Sequence, residues 1–129
     1  AGNIYCAEYF SHVVTKYSST GAYTVVAGLS GTGGYLDATG TAARFNTPAG
    51  IAVDAAGNLY ITETVNSKIR KITAAGVVTT IAGGNAGFAD GISGAALFDI
   101  PLAITGDLAN NTVYVADFNN NRIRKIVIE

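Results

Sequence analysis

Histidine and cysteine are almost missing from this sequence, and methionine and tryptophan are missing altogether: 129 residues hold one His, one Cys, no Met and no Trp. A lone cysteine, Cys6, excludes a disulfide within the chain, and its setting reads as a small buried hydrophobe in a strand. His12 by itself cannot complete a zinc or iron site, which takes several ligands, and it reads as an ordinary polar turn residue. Charge is also scarce. Only 13% of residues are charged and the formal net charge is -1, so no field of either sign exists to draw in nucleic acid or anionic membrane. No run approaches the ~18 apolar residues of a membrane-spanning helix, and no signal peptide remains. Lacking methionine, the sequence is expected to be a mature product, an excised piece or a stretch of something longer.

What is present is apolar, glycine-rich and repetitive. Hydrophobic residues make up 49% of the chain and glycine occurs 16 times, a composition for β-rich packing and against disorder. Gly-Asn-Leu-Tyr-Ile-Thr-Glu at 57–63 echoes Gly-Asn-Ile-Tyr-Cys-Ala-Glu at 2–8 and returns as Asn-Thr-Val-Tyr-Val-Ala-Asp at 111–117. Aligning Tyr5, Tyr60 and Tyr114 gives steps of 55 and 54 residues. Gly-Val-Val-Thr-Thr-Ile-Ala-Gly at 76–83 matches Gly-Ala-Tyr-Thr-Val-Val-Ala-Gly at 21–28, and Ala-Arg-Phe-Asn-Thr-Pro at 43–48 matches Ala-Leu-Phe-Asp-Ile-Pro at 96–101. The landmarks recur in one order, which is the mark of a structural repeat.

Each unit reads as four short strands separated by turn residues, with no amphipathic helical stretch. One strand follows the proline, at 50–54 and again at 102–105. The Leu-Tyr-Ile-Thr strand comes next, then 68–72, then 77–82. A repeat of this length holding four such strands is the signature of a propeller blade. The motifs Pro-Ala-Gly-Ile-Ala-Val-Asp (48–54), Gly-Asn-Leu-Tyr-Ile-Thr-Glu (57–63), Asn-Ser-Lys-Ile-Arg-Lys-Ile (66–72) and Val-Thr-Thr-Ile-Ala-Gly (78–83) resemble consecutive NHL repeats. Gly-Phe-Ala-Asp-Gly at 87–91, followed by Ala-Ala-Leu-Phe at 95–98, is similar to the linker of extended NHL repeats in secreted and surface proteins. The first unit departs from the pattern, with His12, Val14 and Thr15 where the others carry Lys68, Arg70, Lys71 and Arg122, Arg124, Lys125.

The expected fold is therefore all-β, with propeller blades of four antiparallel strands in approximate units 1–48, 49–101 and 102–129. The chain opens at the second strand of a blade and stops after the third strand of another, so three, four and three strands, or two and a half to three blades, are expected. A ring needs four to eight blades, and the family resemblance implies six. A partial propeller of this size is either part of a longer ring or completed by association, with a two-fold dimer closing the ring and a non-closing contact giving a filament.

Catalytic machinery is not legible. The serines lack a base other than His12, and no Gly-x-Ser-x-Gly elbow occurs. The glycine-rich stretch 29–34 lacks the Lys-Ser or Lys-Thr of a phosphate loop. Asp37 and Asp90 sit one to a linker, too few oxygens for calcium. Seven of the eight basic residues lie on third strands or just before them, while Glu8, Glu63 and Asp117 end second strands. Glu63 with Lys68 or Arg70, and Asp117 with Arg122 or Arg124, are expected to brace hairpins as surface pairs worth roughly 0.2–1 kcal/mol each. The balance of charge and the interior placement of Tyr5, Tyr60 and Tyr114 argue against an RNA-binding face. Asn110 begins an Asn-Asn-Thr glycosylation sequon.

These observations point to a non-enzymatic module at the cell exterior or surface, a scaffold that contacts protein or its own copies, with no cofactor and no metal. Two alternatives stay open. The chain is part of a six-bladed lyase or hydrolase whose catalytic residues lie outside it, or a propeller that binds a carbohydrate or other small ligand.

Overall fold

In the computed structural model, which describes residues 2–128, the fourfold strand rhythm of the sequence appears as three antiparallel sheets. The first holds β1 (Ile4–Glu8), β2 (Val13–Tyr17) and β3 (Tyr23–Gly28) in that order. The second holds β4 (Pro48–Val53), β5 (Leu59–Glu63), β6 (Lys68–Ile72) and β7 (Val78–Ala82). The third holds β8 (Pro101–Asp107), β9 (Thr112–Asp117) and β10 (Arg122–Val127). The expected three, four and three strands are present among the described residues, and the only helical pieces there are four 3-10 turns of three residues each.

Tight turns explain the meander. The residue before each third strand is left-handed in all three sheets, at His12, Ser67 and Asn121 with φ of 59°, 53° and 54°. The repeat extends to its irregularities. The register shifts between Val14 and Thr15 where β2 meets β3, and at the matching place between Ile69 and Arg70 where β6 meets β7. It shifts again between Pro48 and Gly50 and between Pro101 and Ala103, at the proline that opens each first strand. A bulge adds twist and re-aims side chains, so equal bulges give equal wedges.

Strand alternation sends successive side chains of the middle sheet to opposite neighbours. Leu59, Ile61 and Ile72 enter a cluster with Val14, Ala27, Phe45 and Val78, between the first and second sheets. Tyr60 and Ile69 enter a second cluster with Phe98, Ile104, Val113 and Val115, between the second and third. Every residue of β5 is buried, which only a strand covered on both faces can achieve. The sheets are thus stacked as propeller blades. Gly50 marks the tightest joint: a Cβ there would sit 2.9 Å from both Ala103 Cα and Ile104 N on β8.

The three tyrosines that the repeat aligns part company here. Tyr60 is buried between blades and Tyr5 packs half-buried against the first cluster, but Tyr114 is 37% exposed on the outer face of the third sheet. Cys6 is half-buried on β1 rather than enclosed.

Candidate functional site

The charged residues singled out in the sequence converge on one construction, built twice. Arg70 rises from β6 into the gap between blades and spends all five guanidinium N–H donors. Nε and one Nη2 hydrogen go to Asp37 Oδ1 at 3.1 and 2.8 Å, and the other Nη2 hydrogen goes to Leu36 O at 3.0 Å. Nη1 donates to Glu63 Oε2 at 2.8 Å and to Arg44 O at 3.0 Å. Its plane lies 4.9 Å from the Tyr35 ring centroid and 4.7 Å from that of Phe45, a cation held between two aromatic rings. Glu63 takes further bonds on Oε1 from the Asn46 N–H at 2.8 Å and from Asn66 Nδ2 at 2.9 Å. Asn66 donates its other hydrogen to Gly34 O at 2.9 Å.

The third blade repeats this. Arg124 donates to Asp117 Oδ2, Leu97 O and Asp90 Oδ1 at 2.8 Å each and to Ala89 O at 2.6 Å. It lies between Phe88 and Phe98, at 4.8 and 4.7 Å. Asn120 bonds Asp117 and Gly87 O as Asn66 bonds Glu63 and Gly34 O. In each case the arginine ties three segments: its own strand, the acidic end of the preceding strand, and the linker arriving from the previous blade.

The expectation of surface hairpin braces is narrowed to one base in each pair, and its surface placement is corrected. The partners of Glu63 and Asp117 are Arg70 and Arg124, and these pairs are buried, with Arg70 and Glu63 both at zero side-chain exposure. Lys68 and Arg122 do not join them. Lys68 Nζ donates to Gly84 O at 2.9 Å above the Tyr35 ring, and Arg122 stacks 3.9 Å over Phe88. The reason is geometric. A planar fork with five donors reaches linker and strand together, whereas an ammonium cannot. Burial pushes the Glu63 carboxyl above its usual value, against the opposing pull of the Arg70 charge and of hydrogen bonds from Arg70, Asn46 and Asn66.

Asp37 and Asp90, read in the sequence as bare linker residues, prove to be the far anchors of both clasps. The signal was available: Tyr35, Asp37, Phe45, Glu63, Asn66 and Arg70 recur as Phe88, Asp90, Phe98, Asp117, Asn120 and Arg124, in the same order. The sequence pattern sets Val14 against Arg70, but the register places Thr15 at the arginine position of the first blade, opposite Val25 as Arg70 is opposite Thr80. Thr15 donates to Glu8 Oε1 at 2.8 Å. His12 is tied by its ring, Nδ1 accepting the Thr47 N–H at 3.0 Å. Asn110 is exposed at the β8–β9 turn, its amide donating to Asp107 Oδ2 at 2.8 Å.

Chemically the first clasp is closed, while the second leaves Asp90 84% exposed. Their carboxylates face arginine, amide and backbone donors, and among the described residues no group of three or more His, Cys, Asp or Glu could hold a metal ion. The open feature lies beside the second clasp: a cleft of ≈590 Å³ between β7 and β10, lined by Ile81, Asp90, Ile92, Phe98, Lys125 and Val127 among others.

Comparison with known proteins gives the same architecture. The family described as NHL repeat matches residues 45–72. NHL repeat-containing protein 3 of Homo sapiens is 32% identical over 119 residues, spanning 90% of this chain and 31% of that protein. A Bacteroides thetaiotaomicron protein of unknown function superposes with a TM-score of 0.90 at 28% identity, over 98% of this chain and 32% of its own. An auxiliary nutrient binding protein from the same organism gives 0.84 at 26% identity, over 96% and 34%. The chain spans about a third of the length of each of these relatives.

Proposed function

We propose that this chain, whose residues 45–72 match the NHL repeat and whose sheets stack as propeller blades, works as a non-enzymatic binding scaffold whose outward blades make contact with protein, its own copies included. The observation that carries this reading is the contrast between the middle blade and its neighbours. In the middle blade β5 is buried throughout, while β10 of the third presents Ile123 and Val127 at 71% and 62% exposure, with Ile92 of the linker 86% exposed. Apolar side chains beside an unpaired strand edge are a template for another strand, in further blades of the same ring or in a second copy. The ionisable groups support the same conclusion, since the arginines and carboxylates at the blade junctions are engaged with each other. We place the module outside the cell, in keeping with its low charge and the exposed Asn110 acceptor.

Light scattering on the purified chain across a concentration series tests the proposal. Concentration-dependent growth in mass supports it, and a monomer at every concentration that also fails to bind an apolar-surface dye counts against it.

A second reading is small-ligand binding. The ≈590 Å³ cleft supports it, as does the likeness to a protein described as nutrient binding. Calorimetric titration with mono- and oligosaccharides separates the two, since ligand binding predicts saturable heat without a change in mass.

A further inference from the structure

The first and second blades meet at Thr47, the residue before the proline that opens β4. Thr47 is left-handed, with φ of 53°, a conformation that β-branched side chains resist and that persists where neighbours fix it. Two turns do so. From its own blade, the turn after β5 donates the Thr64 N–H to Thr47 O at 3.2 Å and the Val65 N–H to Thr47 Oγ1 at 3.1 Å. From the first blade comes His12, whose ring Nδ1 accepts the Thr47 N–H at 3.0 Å. The ring lies against Gly33, where a Cβ would sit 3.2 Å from both Cε1 and Nε2. The His12 N–H is held in turn by Glu8 O at 2.9 Å.

The second joint has the same backbone and no histidine. Ile100 stands where Thr47 stands, with φ of 51°, and Ile100 O accepts the Phe118 N–H at 3.2 Å. Ser67 stands where His12 stands, on the same left-handed backbone. Among the described residues the Ile100 N–H meets no side-chain acceptor, whereas the Thr47 N–H has one. The left-handed residue therefore forms without an imidazole, and the His12 bond is an addition made at one joint.

An imidazole accepts at Nδ1 while that nitrogen carries no proton; with both nitrogens protonated it is a donor alone. We propose that His12 is an acid-sensitive latch between the first two blades. The neutral ring holds Thr47. A proton taken from solvent at Nδ1 turns the acceptor into a donor, sets it against the Thr47 N–H and frees this joint, while the second joint stays as it was. Histidine is the side chain that ordinarily makes this change between about pH 5 and 8. The titratable and charged groups of the elements around the ring are engaged elsewhere. Glu8 of its own turn accepts the Thr15 hydroxyl, and Tyr9 packs on Phe10. Glu63 of β5 and Asp37 of the linker hold Arg70, and Arg44 is spent on the carbonyls of Thr41, Ala42 and Ala43. Among the described residues none of them forms an ion pair with His12. Glu63 is the group that would imitate the effect, because burial pushes its carboxyl above its usual value and its Oε1 accepts the Asn46 N–H beside Thr47.

The test uses the 129-residue chain, whose one histidine gives a single ring signal in nitrogen NMR. At about pH 8 the neutral ring is expected to carry its proton on Nε2. Lowering the pH to about 5 should reduce the protection of the Thr47 amide about tenfold, the weight of one hydrogen bond, after correction for the intrinsic pH dependence of exchange. The Phe118 amide at the second joint should keep its protection. His12→Asn, which places there the residue that the third blade carries at Asn121, should remove the pH step at Thr47. A neutral ring protonated on Nδ1, or equal Thr47 protection at the two pH values, overturns the latch, and both are read on the unmodified chain. A step that survives His12→Asn belongs to Glu63 and overturns it too. So does a parallel fall at Phe118, which would mean that acid loosens the whole chain.

Discussion

Arg70 and Glu63 meet at 2.8 Å with neither side chain exposed, yet they are not opposite each other in the hairpin. Glu63 opposes Lys68, and Arg70 opposes Ile61. The pair forms across the diagonal, which long side chains on one face of an antiparallel pair can reach. From there the guanidinium also touches Asp37, Leu36 and Arg44 of the linker. One buried cation thus fixes how a blade receives the chain from the blade before it. Asp117 and Arg124 repeat the relation at the same distance.

Removing that cation leaves a buried carboxylate without its partner. Arg70→Ala should cost roughly 3–5 kcal/mol of unfolding free energy, the range for a broken buried pair. Arg70→Lys should recover only part of it, because an ammonium cannot serve Glu63, Asp37 and two carbonyls together. Urea unfolding curves measure both. A loss under about 0.5 kcal/mol for Arg70→Ala, the size of an ordinary surface change, would show that the clasp does not hold the blades.

The two linker aspartates look alike in sequence and should behave differently. Asp37→Ala removes the acceptor for Arg70, for the Thr80 N–H and for the Thr80 hydroxyl, and should cost about 1–3 kcal/mol. Asp90→Ala removes one bond at a site 84% exposed and should change stability by less than about 0.5 kcal/mol. Thermal melts of the two variants side by side decide it. Equal losses would contradict the account.

The blades and their strands were legible because their signals are local: period-two apolar runs, glycine and asparagine turns, and a 54-residue echo. Opposite charge at the ends of neighbouring strands was legible too. Which base would win was not, since Lys68 and Arg70 both lie within reach of Glu63 along the hairpin. The deciding contacts, Asp37 and the carbonyls of Leu36 and Arg44, come from a linker 26 to 34 residues away. Burial was hidden for the same reason. Strand pairing can be read from one hairpin, whereas enclosure between blades depends on how hairpins stack, so Tyr60 and Tyr114 look equivalent in sequence and differ in exposure.

Tyr60 should titrate later than an ordinary tyrosine. Burial, a hydrogen bond from its hydroxyl to Asp54 Oδ2 at 3.1 Å and the Asp54 charge together push its phenol up to about 12. The neutral phenol is favoured in the folded state, so this group's contribution is complete below pH 10 and is lost as pH rises through 12. Carbon NMR of ring-labelled tyrosine should show Tyr60 ionising near the top of that window, and Asp54→Asn should move it downward. A Tyr60 that titrates at 10 and ignores Asp54→Asn would refute the coupling.

Gly50 tests the blade joint itself. A methyl group there would lie 2.8 Å from Thr62 Oγ1 and 2.9 Å from the β8 backbone, closer than real contacts allow. Gly50→Ala must therefore push the second and third blades apart and should cost about 1–3 kcal/mol, the range for overpacking. Hydrogen exchange should rise at β4 and β8 more than at β2 and β3. Uniform exchange through the chain would mean that the close approach is not a structural constraint.

Ile123 separates the edge of β10 from the rest of the fold. Its side chain is 71% exposed and it belongs to neither buried cluster, so Ile123→Lys should leave stability within about 0.5 kcal/mol of the parent. A lysine on an edge strand is an established guard against pairing with another chain. If that edge mediates contact, the variant should lower the mass seen by light scattering at high concentration while its melting curve stays in place. Val14→Lys is the counter-case, since Val14 is fully buried between blades and its loss should unfold the chain rather than disperse it. An Ile123→Lys protein that associates as the parent does would move the contact surface away from β10. The uncovered face of the third sheet, where Tyr114 lies exposed, would be the next place to substitute.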